Sequence, residues 1–419
     1  MTPTEWLTLG EIGLGSAAVF PFLMKDWLNK RWIKKHSLPN CPATSQSSLP
    51  RMTVVICVRD EEMVIEGKLT DLSKQKYPRE LLEVLVIDTG SGDNTMRLIE
   101  KWISNSPEFD PLVRLLSTTT VAGKSAAVNL GLAESHIDSE VFVLTDADSR
   151  LAPNSLEKIG RWFSNPDIGA VCGRQIPIGS DGKLLTKSQT YRDYYNRARE
   201  AESRMDSTPI FEGSLAAYRQ SAINAGVVAD ANADDSQLAL EARKKGLRAI
   251  HDPDLHFYEA VPTSISAIHS QRARRAQGLV RHIWRNVDFM FSNKQGMAMR
   301  MTMRTLFFTH IIMPFLILGS LACGLGTILT TALNLQDSST LSMIVAMLNL
   351  SLFFAIFIPP FVVEVLQYKA IRSMNPVTSF AHAMAVLFWV HIRIVVGLKS
   401  HIWRPIKEIR ESISLFDQQ

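Results

Sequence analysis

The chain has 419 residues, of which 46% are hydrophobic and 21% are charged, a length that predicts about two or three domains. Its formal net charge is only +4, which excludes a strong overall positive potential of the kind that binds nucleic acids or other polyanions. The cysteines Cys41, Cys57, Cys172 and Cys323 form no CxxC pair and have no histidine at ligand spacing, which indicates free thiols rather than a zinc site or a disulfide framework.

The first element in the chain is a nearly continuous apolar stretch at residues 6–24, interrupted by Glu11. Its length is about that of a membrane-spanning helix, and it lacks the basic n-region and cleavage site of a signal peptide. Residues 1–35 are therefore predicted to form a transmembrane helix with a basic juxtamembrane segment, which places the following chain in the cytoplasm. The alternative is an amphipathic helix lying on the membrane surface.

After a polar linker at residues 36–50, short apolar runs alternate with helical patterns. The strand-like runs lie at residues 52–58, 82–88, 112–116 and 141–145, and the helical patterns at residues 61–76, 93–103 and 124–134. This alternation predicts an α/β domain with a largely parallel sheet, which we assign to residues 51–293. In such sheets, ligands bind beyond the carboxyl ends of the strands.

Acidic residues stand at the ends of three of these predicted strands. Asp60 follows the first strand, Asp88 ends the second, and Asp146 and Asp148 follow the fourth as a D-x-D motif. Crowded carboxylates repel one another unless a cation or hydrogen-bond donors meet them. On an extended backbone Asp146 and Asp148 would face one way and suit Mg²⁺ or Mn²⁺, which take carboxylates together with phosphate oxygens. A plain turn after Asp88, with Asp93 as a helix N-cap, is the alternative there.

The last part of the chain is again apolar. Residues 306–333 and 341–363 are uncharged runs that predict a transmembrane hairpin with a turn at 334–340, preceded by an interfacial helix at 294–304. Within this C-terminal region of residues 305–398, the segment 377–398 carries Arg393 and is followed by cations, so a third span, a re-entrant segment and an interfacial helix stay open. Residues 399–419 are predicted as a basic cytosolic tail.

Several spaced segments together resemble the family 2 glycosyltransferases of the GT-A fold. In chain order they are VVICVRDEE, EVLVIDTGSGDNT, AGKSAAVNLGL, VLTDADS, FEGSLAAYR, ADDSQLAL and FYEAVPTSISAIHSQRARRAQG. The last resembles the Q-x-x-R-W element of the group that contains the cellulose, chitin, hyaluronan and poly-N-acetylglucosamine synthases. The resemblance implies a hexosyltransferase whose GT-A nucleotide-sugar-binding domain has a mixed, largely parallel sheet and is flanked by transmembrane helices.

The resemblance also implies roles for the acidic residues and one lysine. Asp60 and Asp88 stand where the family contacts the nucleotide base and ribose, and Lys124 matches a lysine beside the pyrophosphate. Asp146 and Asp148 match the D-x-D motif that binds the metal and the nucleotide, which implies Mg²⁺ or Mn²⁺ as the cofactor.

Further roles concern the sugar and the acceptor. Asp235, the second acid of a pair with Asp234, matches the family's general base. Acids at the start of a helix also cap it and interact favourably with its dipole, so a structural role is the local alternative for this pair. Phe211, Gly213 and Ser214, together with Asp234, are predicted to shape the pocket for the donor sugar or the acceptor.

The Q-x-x-R-W element departs from the family pattern. Gln271, Arg274 and Arg275 fall on it and are predicted to help bind the nucleotide sugar, but Arg275 replaces the usual tryptophan. Because arginine pairs with anions, Arg275 makes a phospholipid or lipid-phosphate acceptor more plausible than it would be with tryptophan.

These observations predict a membrane-embedded, inverting glycosyltransferase that moves a sugar from a nucleotide-diphosphate sugar, with UDP as the usual nucleotide, to a growing β-linked polysaccharide. Asp235 would act as the general base, while a metal on Asp148, with Lys124 and Arg274, would offset the charge of the leaving diphosphate. The alternative is a non-processive enzyme that adds one or a few sugars to a membrane lipid or lipid phosphate. A non-enzymatic nucleotide-sugar sensor is disfavoured by the intact acids and Lys124.

The predicted location is the cell membrane, with several spans and a cytoplasmic catalytic domain. The predicted partners are the nucleotide-sugar donor, a glycan or lipid acceptor and membrane lipids, without nucleic acid; a partner subunit stays open.

Overall fold

The computed structural model describes residues 2–43, 48–109, 112–118, 123–185, 190–229, 233–333, 339–351, 354, 376–396 and 406–419. The chain divides into two compact units. The sheet unit comprises residues 32–263 and 400–419, and the helical unit comprises residues 1–31 and 264–399. The chain therefore leaves the sheet unit once and returns to it at its C-terminus.

An eight-stranded mixed sheet forms the centre of the sheet unit, with the strand order β3-β2-β1-β4-β7-β6-β8-β5. The strands are β1 Met52–Val58, β2 Leu82–Asp88, β3 Val113–Ser117, β4 Val141–Asp146, β5 Ser149–Leu151, β6 Ile168–Ile178, β7 Ala216–Arg219 and β8 Arg248–Ala260.

The helices follow in chain order. They are α1 Pro3–Lys35, α2 Ile65–Ser73, α3 Thr95–Asn105, α4 Lys124–Glu134, α5 Ser155–Phe163, α6 Thr190–Met205, α7 Asp234–Lys244, α8 Ile265–Arg285, α9 Val287–Phe291, α10 Met297–Phe307, α11 Met313–Ala332, α12 Thr340–Ser351, α13 Pro376–Val395 and α14 Lys407–Asp417.

One half of the sheet is parallel and buried on both faces. β1 pairs in parallel with β2 and β4, and β2 pairs in parallel with β3. Along β1, Val54 and Ile56 belong to one apolar core, whereas Val55 belongs to the core on the other face. Strands with apolar side chains on both faces require helices on both sides, which is the layered arrangement of α/β domains. The carboxyl ends of β1, β2 and β4 therefore meet at one edge.

The other half of the sheet is mainly antiparallel. β7 pairs antiparallel with β4 and β6, β5 pairs antiparallel with β8, and only β6 and β8 run in parallel. The predicted mixed α/β sheet is thus confirmed.

The C-terminal helix α14 is part of the sheet unit. Ile409 and Ile413 are 2% and 0% exposed and belong to the same core as β1. The ring of Phe416 lies 5.6 Å from the ring of Tyr258 on β8. Part of the predicted basic tail is therefore an amphipathic helix that covers the sheet. The first segment of the sheet unit ends at residue 263, whereas the predicted domain continued to residue 293.

The helical unit contains the apolar segments. Among the described residues, two helices are long and apolar enough to cross a membrane, at Pro3–Lys35 and at Met297–Ala332. The second combines α10 and α11 through a π-helical turn at Phe308–Ile312, so the predicted interfacial helix is continuous with the following apolar helix. α12 and the described part of α13 are shorter apolar helices. Residues 334–338, most of 352–363 and residues 397–398 of the predicted hairpin and last segment lie outside the described residues.

Glu11, which interrupts the first apolar stretch, is buried within the helical unit at 3% exposure. Its Oε1 accepts a hydrogen bond of 2.6 Å from Asn349 Nδ2, and its backbone oxygen accepts one of 2.8 Å from Ser320 Oγ. An acid in an apolar helix is tolerated when it faces polar partners on neighbouring helices. Glu11 therefore does not conflict with the predicted span.

Candidate active site

The D-x-D motif lies in a turn at the carboxyl end of β4. β4 ends at Asp146, residues 147 and 148 form the turn, and β5 begins at Ser149, whose Oγ donates a hydrogen bond of 2.9 Å to the Asp146 carbonyl. The backbone at the motif was expected to be extended, and this expectation is wrong, because residues 147 and 148 form a turn. The two carboxylates accordingly contact different cationic side chains.

Asp146 contacts a lysine and a serine. Its Oδ1 accepts a hydrogen bond of 2.6 Å from Lys124 Nζ, and its Oδ2 accepts one of 3.0 Å from Ser214 Oγ. Lys124 is the first residue of α4, directly after Gly123. Burial is the largest single influence and lowers the pKa of Lys124, but the nearby charges of Asp146, Cys57 and Asp234, with the hydrogen bond to Asp146, together raise it. Lys124 therefore presents a positive charge at the carboxyl edge of the sheet, where the sequence predicted a diphosphate.

Asp148 contacts an arginine from the C-terminal helix. Its Oδ2 lies 2.9 Å from Arg410 Nη1. The other two guanidinium nitrogens of Arg410, Nε and Nη2, donate hydrogen bonds of 2.9 and 2.5 Å to the carboxylate of Glu61. Burial raises the pKa of Glu61 to about 7, although Arg410 acts in the opposite direction. Sequence reasoning found the acids after β1 but missed this role of Glu61 and Arg410.

A second arginine holds the backbone of the same turn. Arg150 Nη1 donates hydrogen bonds of 2.9 Å to the carbonyl oxygens of Ala147 and Ser149, which flank Asp148. Arg150 Nε and Nη2 pair with the carboxylate of Asp417 on α14 at 2.8 and 2.6 Å. Two residues of α14 therefore support the D-x-D turn, Arg410 by direct contact with Asp148 and Asp417 through Arg150.

Lys68 holds the residues on either side of the D-x-D turn. It is fully buried on α2, and its Nζ donates hydrogen bonds to Thr145 Oγ1 at 2.7 Å and to the Ser149 carbonyl at 3.1 Å. Burial lowers the pKa of Lys68 to about 8. The D-x-D turn is thus held by side chains of several elements, which limits its freedom to rearrange.

Asp60 and Asp88 lie in two loops that are joined to each other. The Asp60 backbone N donates to Ser91 Oγ at 2.9 Å, and the Gly92 backbone N donates to Asp60 Oδ1 at 2.7 Å. Asp60 has a φ of 54°, in the left-handed region that non-glycine residues seldom adopt. Asp88 is 1% exposed and accepts hydrogen bonds from the backbone N of Gly90 and Ser91. The turn alternative therefore describes Asp88 well, and its predicted contact with the nucleotide stays a prediction.

The acidic pair Asp234–Asp235 begins α7, and the two carboxylates differ in their surroundings. Asp234 Oδ1 accepts a hydrogen bond of 2.6 Å from Ser125 Oγ, which joins the start of α7 to the start of α4 beside Lys124. Asp235 Oδ1 accepts one of 2.7 Å from the Ser236 backbone N, while its Oδ2 has no hydrogen-bond partner among the described residues. Burial, with the charge of Asp234, raises the pKa of Asp235 to about 6, against the opposing charge of Lys124.

The segment predicted to form the sugar pocket, residues 211–214, lies between Asp235 and the D-x-D turn. A Cβ at Gly213 would lie 3.1 Å from Asp235 Oδ2, so the Asp235 carboxylate lies directly against this backbone. The next residue, Ser214, contacts Asp146. Phe211 is 3% exposed and its ring stacks against Tyr218 at 6.0 Å, so it supports the segment from the core. Adjacent residues thus connect the general-base candidate with the D-x-D turn.

Gln271, Arg274 and Arg275 lie on α8 in the helical unit. Gln271 and Arg274 are partly buried, and Arg275 is exposed. Their predicted part in nucleotide-sugar binding stays a prediction.

The donors at the D-x-D turn fit a divalent cation that is shared with a diphosphate. Asp148 Oδ1 has no hydrogen-bond partner among the described residues, so one carboxylate oxygen is available beside the paired Oδ2. The described residues contain no group of three or more histidine, cysteine or acidic side chains able to enclose a metal by themselves. Mg²⁺ and Mn²⁺ are commonly held by one or two carboxylates, with phosphate oxygens and water completing the coordination.

Family models match most of this region. The model described as Glycosyl transferase family 2 matches residues 53–226, and that described as Glycosyl transferase family group 2 matches residues 141–359, more than half of the chain. The chain belongs to the family 2 glycosyltransferases. The resemblance predicted from the sequence motifs is thereby confirmed.

A solved structure is similar over nearly the whole chain. It is a mannosyltransferase from Pyrobaculum calidifontis, in complex with GDP-Man and Mn²⁺; it is 28% identical, with a TM-score of 0.73, and the match covers 94% of this chain and all of that one. This similarity confirms the predicted GT-A fold.

Two curated relatives of this family 2 glycosyltransferase are named for different products, a glycolipid and a polysaccharide. A beta-monoglucosyldiacylglycerol synthase of Trichormus variabilis is 26% identical over 64% of this chain and 57% of its own length. A poly-beta-1,6-N-acetyl-D-glucosamine synthase of Staphylococcus aureus is 25% identical over 58% of each chain. The match thus spans less than two thirds of either relative.

Proposed function

We propose that the protein is an inverting hexosyltransferase that uses a nucleotide-diphosphate sugar, with Asp235 as the general base. The observation that carries this proposal is the pair Gly213–Ser214, which places the Asp235 carboxylate and the D-x-D residue Asp146 beside one short backbone segment. A direct displacement at a sugar carbon requires a base close to a cationic site for the diphosphate.

Asp235 is suited to accept a proton from an acceptor hydroxyl. Its Oδ2 has no hydrogen-bond partner among the described residues, and its pKa of about 6 leaves it largely ionised near neutral pH. A base with a pKa close to the working pH accepts a proton efficiently in the transition state. Asp234 is 5% exposed and its Oδ1 accepts a hydrogen bond from Ser125, so it joins α7 to α4.

Lys124 is suited to stabilise the leaving diphosphate. Its ammonium group is fixed by Asp146 at the start of α4, where helix N–H groups also favour anions. A divalent cation bound at Asp148 Oδ1 would supply Lewis-acid stabilisation of the diphosphate oxygens. Arg410 and Arg150 hold the turn that presents this oxygen.

The membrane acceptor is the finer part of the proposal, and we favour a lipid that carries a phosphate. In the helical unit, an open groove of about 510 Å³ has an apolar lining that includes Met297, Met301 and Phe308, together with two arginines, Arg300 and Arg304. Two guanidinium groups above apolar side chains suit a phosphate attached to an acyl or isoprenoid chain.

The orientation of the two arginines supports the same acceptor. Asn293 Oδ1 accepts hydrogen bonds of 3.3 Å from both Arg300 and Arg304, which holds the two guanidinium groups on one side. The growing β-linked polysaccharide predicted first is the second candidate, supported by the relative named as a poly-N-acetylglucosamine synthase.

The experiment uses the full chain in lipid nanodiscs that contain a polyisoprenyl phosphate and bacterial phospholipids, with Mn²⁺. A panel of UDP-sugars and GDP-mannose is offered, nucleotide release is followed, and labelled products are sized by mass spectrometry. We expect release from one donor and a product one sugar heavier than a lipid. A ladder of long glycans would replace the lipid with a polysaccharide as acceptor, and no release from any donor would contradict the transferase proposal.

A further inference from the structure

Two residues of the C-terminal helix α14, about two helical turns apart, contact Asp148 of the D-x-D turn and Arg150, which holds the backbone of that turn. Arg410 and Asp417 are separated by seven residues, so they project from one face of the helix, with the buried Ile413 between them. Arg410 reaches the carboxylate of Asp148, and Asp417 reaches Arg150. Neither contact can form unless α14 is docked on the sheet.

The first contact fixes the side chain of Asp148. Arg410 is held by the bidentate pair with Glu61, a carboxylate that is 1% exposed, and its remaining Nη1 meets Asp148 Oδ2 at 2.9 Å. A planar guanidinium held at two atoms has little freedom at the third. The carboxylate of Asp148 is thereby oriented, with Oδ2 used and Oδ1 left available.

The second contact fixes the backbone on either side of Asp148. Arg150 donates to the carbonyls of Ala147 and Ser149, and the side chain of Arg150 is 4% exposed. Asp417 neutralises this buried arginine through two hydrogen bonds. Removing the acidic partner of a buried arginine leaves a buried charge without compensation, which is destabilising. Asp417 therefore stabilises the turn through Arg150.

We propose that α14 is the positioning element of the metal-binding aspartate, in which Arg410 orients the Asp148 carboxylate and Asp417 secures the surrounding turn through Arg150. This inference rests on the proposed function, because it assumes that Asp148 contributes an oxygen to a divalent cation bound with a nucleoside diphosphate. Side chains that orient a metal ligand typically change metal affinity by about 10- to 100-fold when they are replaced.

The test measures Mn²⁺ binding to the full chain in nanodiscs by electron paramagnetic resonance, with UDP and, separately, with GDP. The variants are Asp417→Asn, which keeps the shape of a side chain that is 27% exposed, and Arg410→Lys, which keeps the charge but loses the planar fork. Glu411→Gln is the matched control, since Glu411 lies on the same helix, is 52% exposed and pairs with Lys407 on its own helix. The midpoint of thermal unfolding of each variant shows whether it remains folded.

We expect Asp417→Asn and Arg410→Lys each to weaken Mn²⁺ binding by about tenfold or more. Nucleotide affinity in EDTA and the behaviour of Glu411→Gln should match those of the wild type. Unchanged Mn²⁺ affinity in folded variants, with binding intact in the wild type, would overturn this inference and leave the proposed function standing. A wild-type protein that binds no Mn²⁺ with either nucleotide would overturn both.

Discussion

Asp235 and Asp234 show how adjacent carboxylates acquire separate roles. Asp234 is 5% exposed and its Oδ1 joins α7 to α4 through Ser125, whereas Asp235 keeps one oxygen without a partner among the described residues. The sequence located the pair and, through the family resemblance, predicted that the second acid is the base. It did not reveal the link from Asp234 to Ser125, because such a contact joins residues 109 positions apart.

Replacement of Asp235 by asparagine tests its role as the base. We expect Asp235→Asn to lower the rate of sugar transfer by about 10²- to 10⁴-fold, because an amide cannot accept the proton of the acceptor hydroxyl. Nucleotide affinity should stay near that of the wild type, since the contacts of Lys124 and Asp146 are retained. Single-turnover transfer and calorimetric titration with nucleotide provide the two readouts.

Glu241→Gln on the same helix is the control, because Glu241 pairs with Lys244 away from the site. Normal turnover by Asp235→Asn would remove Asp235 from the proposed mechanism.

The pH dependence of the rate follows from the same carboxylate. Because the pKa of Asp235 is raised to about 6, we expect the rate to fall about tenfold per pH unit below that value, as the base becomes protonated. A raised pKa means that the folded state favours the protonated acid, so this group's contribution to stability is present below its ordinary value of 3.8 and is lost as the pH rises through about 6. Protonation of Asp235 near pH 6 should therefore lower the transfer rate without unfolding the protein.

Rates measured alongside circular dichroism across this pH range make the test. A transfer rate that does not change across the pKa of Asp235 would contradict the assignment.

At the scale of elements, the parallel half of the sheet was predictable and α14 was not. The runs at β1, β2 and β4 are short, apolar and followed by acids, so the sequence alone indicated strands that end at one edge. Arg410 and Glu61 are 349 positions apart, and only the folded chain brings them together. The spacing of Ile409, Ile413 and Phe416 in the tail carries the signal of an amphipathic helix, but not the identity of the surface that it covers.

The contribution of α14 to the stability of the sheet unit can be measured with one apolar side chain. Ile413 is fully buried in the core, so Ile413→Ala should lower the free energy of unfolding by about 2 to 5 kcal/mol through lost burial and a residual cavity. Leu415→Ala is the control: Leu415 lies on the same helix and is 43% exposed, so a change within about 0.5 kcal/mol is expected.

Chemical denaturation followed by tryptophan fluorescence of the sheet unit measures both variants. Equal effects of the two substitutions would show that α14 does not pack on the core in solution.

At the scale of the whole molecule, the return of the chain to the sheet unit restricts its path through a membrane. Residues 32–263 and α14 form one compact unit, so both must lie on the same side of any membrane that the chain crosses. The segment between residues 264 and 399 must then cross an even number of times. If the predicted hairpin crosses twice, residues 377–398 do not complete a third span. The sequence left this segment open because charge counts alone do not fix the number of crossings.

This topology predicts the side of the membrane on which reporters at three points of the chain will lie. A reporter fused after Gln419 and one inserted in the loop at Asp181–Gly182, where the chain turns, should both report the cytoplasm. A reporter placed at the N-terminus, before α1, should report the opposite side. Opposite locations for the C-terminal and loop reporters would contradict the even number of crossings.

The anomeric configuration of the product tests the account most directly. In the proposed mechanism, Asp235 assists direct attack on the sugar, on the face away from a diphosphate that Lys124, fixed by Asp146, would stabilise. Transfer from an α-linked donor, followed by nuclear magnetic resonance of the product before it equilibrates, should show a β-linked sugar. An α-linked product would contradict a single displacement with Asp235 as the base.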